Sequence, residues 1–155
     1  VPNLFPEDAS KDWTDENAEE PAIEEEVAFG RSWRFDFELG DFVMTPTRKV
    51  ANIHDTEAWV MWCQKAIRTP RYRHLIYSRN HGEELDNLIG KGYSRGVIES
   101  EIQRIVTETL MVDPRTADVG GFTYNWSGDS CYFSCRITNI QDEEDVLEGS
   151  VGENG

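Results

Sequence analysis

Long apolar runs are missing from this chain, and basic residues are scarce beside acidic ones. No stretch approaches the roughly 20 consecutive apolar residues of a bilayer-crossing helix. The N-terminus has no basic region followed by an apolar core, so it does not read as a secretory signal. Lysine and arginine number 15 against 30 aspartates and glutamates, a formal net charge of -15. Nucleic acid is disfavoured as the main partner, because counterion release requires a net basic surface. Cysteine is equally sparse, with three in 155 residues. Cys131 and Cys135 lie four apart on what reads as one strand, about 13 Å at roughly 3.3 Å per residue, beyond disulfide reach. Cys63 falls on the apolar face of a helix. None completes a ligand spacing, so all three read as buried thiols of a chain folded in a reducing cytoplasm. No metal and no cofactor is expected. Asn125-Trp126-Ser127 matches a glycosylation acceptor, which has no meaning without a secretory route.

The charge that is present sits at the two ends. Residues 1–30 carry ten acids against Lys11, and residues 141–155 carry six acids and no base. Residues 31–140 hold fourteen of each sign. The chain therefore divides into an acidic N-terminal extension (1–30), a balanced domain (31–140) and an acidic C-terminal tail (141–155). Ends of that composition repel themselves and stay solvated. The domain is sized for a single core.

Within the domain, Trp33, Phe35, Phe37 and Leu39 alternate with Arg34, Asp36 and Glu38, the period of a strand with one wet face. Gly40-Asp41 reads as a turn and Phe42-Val43-Met44 as the return strand of a hairpin. Asp55 or Thr56 is placed to cap a helix that carries Trp59, Trp62, Cys63, Ala66 and Ile67 on one face and stops at Thr69-Pro70. Tyr72, Leu75, Ile76, Leu85 and Leu88 are the inward candidates of an irregular connector. Ser94 caps a second helix, with Ile98, Ile102, Ile105, Val106, Thr109 and Leu110 on one side, ending near Asp113-Pro114. A second hairpin follows. Phe122, Tyr124 and Trp126 are in phase before a Ser127-Gly128-Asp129 turn, and Cys131, Phe133, Cys135 and Ile137 after it. The predicted fold is α+β: a small antiparallel sheet from two hairpins, two helices packed on one face, and acidic extended tails.

Chemistry is harder to find. His54, His74 and His81 show no ligand spacing, and His81-Gly82-Glu83-Glu84 lacks the second histidine of a zinc helix. Gly90-Lys91-Gly92 is too short for a phosphate loop. Glu83, Glu84 and Asp86 are a carboxylate cluster without the separation across a substrate that glycoside hydrolysis requires. No catalytic residue is therefore assigned. The cationic cluster Lys65, Arg68, Arg71, Arg73 and Arg79, interleaved with Tyr72 and Tyr77, is compatible with RNA stacking. It is also a plain solvated surface. Together with the acidic ends, it suits docking between subunits through arginine–carboxylate pairs. Arg71, Arg73, Arg79, Glu83 and Glu84 are the candidates for that pairing.

Several ordered blocks carry a resemblance. They are the strand "SWRFDFELGDF", the helix ending in Arg68-Thr69-Pro70-Arg71-Tyr72, and "RTPRYRHLIYSRNHGEELDNLIGKGYSRGVIESEIQRIVTETLMVDPRTADVGGFTY". Across about residues 33–140 they resemble the baseplate wedge family of contractile phage tails, in the branch found in phages and prophages of Gram-positive bacteria. That family, formerly "lysozyme-like", is understood as the sheath initiator. The resemblance implies a structural, non-enzymatic protein in the virion's tail baseplate, assembled in the host cytoplasm in several copies around the tube. Its implied partners are other baseplate wedge proteins, the tail sheath protein and the tail hub and tube proteins, with no nucleic acid and no membrane. Members imitate the part of a sheath subunit that accepts strands from neighbours. A Glu-Pro-Arg motif of the wider family meets the helical core bundle of the wedge. Asp113, Pro114 and Arg115 match it here, with Asp shorter than Glu by a methylene, and Arg115 is the implied charged anchor. Arg115→Ala is thus expected to leave the monomer folded and to block wedge assembly. The acidic lead has no counterpart in shorter relatives. A peptidoglycan-cleaving tail enzyme, in keeping with the old label, and an RNA-binding module are the alternatives.

Overall fold

The structure is a computed structural model that describes residues 26–69, 88 and 92–152. Its elements run β1 (Arg31–Trp33), β2 (Phe35–Asp36), β3 (Asp41–Phe42), β4 (Asn52–His54), α1 (Asp55–Arg68), α2 (Arg95–Met111), β5 (Thr116–Ser127), β6 (Ser130–Asn139) and β7 (Glu144–Val151). This is a small α+β fold. The strands form three antiparallel sheets: β1 with β4, β2 with β3, and the three-stranded β5-β6-β7.

The three-stranded sheet supplies one wall of the core. Along β6, Cys131, Phe133, Cys135 and Ile137 point inward, and Leu147 and Val151 of β7 join them. Opposite lie Trp59, Cys63, Ala66 and Ile67 of α1 and Ile98, Ile102, Ile105, Val106 and Leu110 of α2, with Leu88 and Phe29 completing the cluster. The predicted faces of both helices are the buried ones. Ser94 caps α2 as expected, its hydroxyl accepting from the Val97 N–H at 3.4 Å. In the second hairpin Trp126 pairs with Cys131 and Tyr124 with Phe133 around a Gly128-Asp129 turn. Gly128 has φ +59°, a conformation costly for other residues.

Three expectations change. First, the alternating segment from Arg31 does not run as one strand. Asp36 Oδ1 accepts from the N–H groups of Glu38 and Leu39 at 2.8 and 3.0 Å, and Gly40 N–H donates to Asp36 C=O, so the turn starts at Phe37. β1 finds its partner in β4, and the two N-terminal pairs do not join the three-stranded sheet. Second, α1 starts without a side-chain cap: His54 holds the N-cap position. The Asp55 N–H is taken by Gly30 C=O at 3.1 Å, and the Thr56 hydroxyl is used elsewhere. Third, residues 144–151 are not a solvated tail. They form β7, paired with β6 over eight consecutive positions from Glu144 to Val151. Leu147 and Val151 fill the inner face, and Gly149 between them lies under the Phe133 ring, where a Cβ would come within 2.5 Å of it.

All three thiols are free and buried. Burial, with a smaller contribution from nearby Asp113, pushes Cys63 up to about 12, and burial alone pushes Cys135 up to about 11. Both groups hold their protons more tightly folded than unfolded. Their contribution to stability is complete below the free-thiol range near pH 9 and is lost as pH rises through 11 to 12. Native protein is accordingly expected to resist a thiol-reactive disulfide reagent at pH 8 and to release three equivalents only on unfolding. Rapid labelling of Cys63 in the native state would contradict this packing.

Candidate functional site

The polar groups of the fold converge where α2 hands over to β5. α2 ends at Met111, and Asp113-Pro114-Arg115 forms the turn into β5, closed by the Thr116 N–H donating to Asp113 C=O at 3.0 Å. Pro114 is exposed, and the acid and base on either side of it turn toward each other. Arg115 donates from Nε to Asp113 Oδ1 at 2.9 Å and from Nη2 to Oδ2 at 2.7 Å, a bidentate fork. Its backbone N–H also donates to Asp113 Oδ1 at 2.9 Å, and Nη1 donates to Phe29 C=O at 2.8 Å. The pair is shielded, with side chains 15% and 7% exposed. Paired arginine and carboxylate in such a fork are among the stronger hydrogen-bonded contacts a protein makes. Arg115 thus ties the start of the domain at Phe29 to the end of α2.

A second knot lies beside the first. The Ile140 N–H donates to Arg115 C=O at 3.0 Å, bringing the β6–β7 turn against the Asp113–Arg115 turn. Asn139, wholly buried, organises that turn. Its Oδ1 accepts from the N–H groups of Gln141 and Glu143 at 2.9 and 3.0 Å, and its Nδ2 donates to Glu143 Oε2 at 3.2 Å. The Thr56 hydroxyl donates to the same Glu143 carboxylate, which fastens the first turn of α1 to the β6–β7 turn. Asp142, at φ +61°, closes the reversal. Trp59 Nε1 donates to Thr116 Oγ1 at 3.0 Å one helical turn further on.

From this junction the sheet extends with both edges unpaired among the described residues, where β5 and β7 each pair with β6 alone. β7 contains no proline and no base, and residues 142–148 include Asp142, Glu143, Glu144, Asp145 and Glu148. Elsewhere, β2 and β3 carry a small aromatic cluster. Phe35 meets Phe37 and Phe42 edge-on at 5.2 Å, and the Arg68 guanidinium sits 4.4 Å above Phe37. Trp33, Phe42, Met44 and Leu39 remain open to solvent there, Leu39 at 81%.

Of the residues singled out from the sequence, Asp113, Pro114 and Arg115 therefore form one compact turn. Arg71, Arg73, Arg79, Glu83 and Glu84 lie outside the described residues. Sequence reasoning missed Asn139 and Glu143, placed Thr56 only as a helix cap, and missed the β7 edge. Asn139 followed three residues later by Asp142 is a turn signal, and Leu147, Gly149 and Val151 do alternate, but the acidic composition masked both.

Comparison with known proteins bears on the same region. The model of the contractile injection system sheath initiator matches residues 31–144, from β1 to the first residue of β7. The phage-like element PBSX protein XkdS of Bacillus subtilis is 29% identical over 134 residues, covering 84% of this chain and 87% of that protein. The chain belongs to the contractile injection system sheath initiator family.

Proposed function

We propose that this chain is a structural, non-enzymatic component of the baseplate of a contractile tail, on which the first ring of the sheath assembles. The match over residues 31–144 carries the reading, because it spans both helices, the clamped turn and the start of the last strand. The likeness to a phage-like element protein supports a phage or phage-derived particle. In this account the chain sits in several copies around the tube, between other wedge proteins and the sheath. It accepts strands from sheath subunits at its three-stranded sheet, with backbone hydrogen bonds giving affinity and alternating side chains giving register. The Asp113-Pro114-Arg115 turn faces the wedge core. Arg115 spends three donors inside the chain, and the exposed Pro114 and the outer side of the guanidinium are what the turn offers a neighbour.

Particles produced without this chain are expected to contain tubes and incomplete baseplates but no extended sheath, visible by negative-stain microscopy. Sheathed, contractile tails from such cells would overturn the proposal.

A further inference from the structure

We propose that the edge of β7, unpaired among the described residues, is the edge that takes the incoming strand. The strand it selects is basic, with positive side chains beside Glu144 and Glu148 and an uncharged one beside Val146. Asp145 guards the edge until that strand arrives. This rests on the strand-acceptance reading above and adds to it which edge is used and what chemistry it selects.

The β6–β7 ladder runs without a slip from Thr138 opposite Glu144 to Cys131 opposite Val151. In an antiparallel ladder, residues alternate between exchanging both hydrogen bonds with the partner and pointing both groups away. The Asn139 N–H to Glu143 C=O bond at 3.0 Å sets the phase. Asp145, Leu147, Gly149 and Val151 therefore bond to β6, while Glu144, Val146, Glu148 and Ser150 direct their N–H and C=O groups outward. One outward donor is already occupied: the Val146 N–H donates to Asp145 Oδ1 at 2.7 Å. A short tethered carboxylate thus fills the middle of the free edge. Charge on an edge is a known device against unwanted pairing.

The side chains of Glu144, Val146, Glu148 and Ser150 share the face turned away from the helices, where an added strand places its own side chains directly alongside. The nearby cation is Arg136, 3.7 Å from Glu144, and Glu148 has no cationic partner among the described residues. A second copy of β7 would bring its own Glu144, Asp145 and Glu148 to this edge, so pairing between copies is opposed by like charge. The β5 edge is less suitable. Its register shifts between Thr116 and Asp118 and again between Gly120 and Thr123, and such bulges interrupt a continuous row of donors and acceptors.

The test uses full-length chain assembled into baseplates, with sheath nucleation as readout. Val146→Pro removes the outward N–H without removing a β6–β7 bond, a position where proline is tolerated. Nucleation is expected to fall at least tenfold with thermal unfolding little changed. Val119→Pro removes the outward N–H at the β5 edge. Because the Val119 side chain also packs against the core, the comparison uses only Val119→Pro protein shown to be folded by thermal unfolding, and that folded variant is expected to nucleate normally. Loss with Val119→Pro and normal nucleation with Val146→Pro would overturn the β7 assignment and leave strand acceptance standing. Normal nucleation by both would overturn strand acceptance itself. A binding titration decides the chemistry independently, and also serves if Val146→Pro fails to fold. A ten-residue peptide alternating lysine with threonine is expected to bind at least tenfold more tightly than its glutamate–threonine counterpart. Glu144→Lys/Glu148→Lys is expected to reverse the order, whereas equal binding of both peptides would overturn the basic-strand assignment. Asp145→Ala is expected to raise affinity for a glutamine–threonine peptide several-fold, and no rise would overturn the guard role.

Discussion

Arg115→Ala is expected to lower the stability of the folded chain by about 3–5 kcal/mol, the range for removing one member of a shielded ion pair. Asp113, 7% exposed, would be left as a lone carboxylate on the core side of its turn. The Phe29 C=O would lose its donor, and the entry of the chain into β1 would lose its attachment to the end of α2. Typical domains hold only about 5–15 kcal/mol in total. The variant therefore keeps its fold only narrowly, with a melting temperature lower by more than about 10 °C. A change below about 1 kcal/mol would show that the fork is a surface contact. This prediction departs from the one drawn from the motif alone, where Arg115 serves only a neighbour and its loss spares the monomer. Asp113→Asn/Arg115→Gln separates the two roles, because neither change leaves a lone charge. The double variant is expected to regain part of the lost stability. If it folds and still fails to enter the baseplate, the turn docks as well as braces. Normal entry would confine Asp113 and Arg115 to bracing.

Asn139→Ala is expected to cost about 2–4 kcal/mol, since a fully buried amide with several partners is removed at once. The N–H groups of Gln141 and Glu143 lose their acceptor, and the Glu143 carboxylate keeps only the Thr56 hydroxyl near it. The damage is directional. The β6–β7 turn opens first, so β7 should lose amide hydrogen-exchange protection well before β5 does. Exchange that rises uniformly over the sheet would mean that Asn139 contributes only general packing. Asn139→Asp keeps the acceptor for the two N–H groups but sets a second carboxylate against Glu143, so it should be less damaging in acid than at neutral pH.

How much of this was legible beforehand depends on whether the partner of each residue is near in sequence. Both helical faces were readable, because Ile98, Ile102, Ile105 and Val106 repeat at the helical period and Ser94 announces the start. The second hairpin was readable because its aromatic and cysteine residues sit in phase around a two-residue turn containing Gly128. The first hairpin was readable only in part: Phe35 does pair with Phe42 and Asp36 with Asp41, but the turn starts at Phe37 and the residues before β2 pair elsewhere. Alternation from Trp33 to Leu39 says which side is apolar but not who pairs, and the Arg34 N–H finds Ala51 C=O at 2.8 Å, well beyond any local turn. Asp36 then spends its side chain on the turn and leaves Leu39 in solvent. β7 was hidden for a different reason. Its inward positions are only Leu147, Gly149 and Val151, and the glycine is demanded by a ring on another strand. Acidic composition argues for a solvated arm when the segment stands alone, but one wet face and one free edge accommodate those charges once β6 supplies the pairing. The Asp113-Pro114-Arg115 motif was visible, yet its contact with Phe29, 86 residues away, was not.

The most direct measurement is sheath assembly by add-back. Tubes and baseplates made without this chain would be mixed with purified sheath protein, with and without the purified chain, and followed by light scattering and microscopy. Sheath is expected to extend from the baseplate end only when the chain is present, with a lag that shortens as its concentration rises. Sheath of the same length and rate in its absence would contradict its role as the initiator.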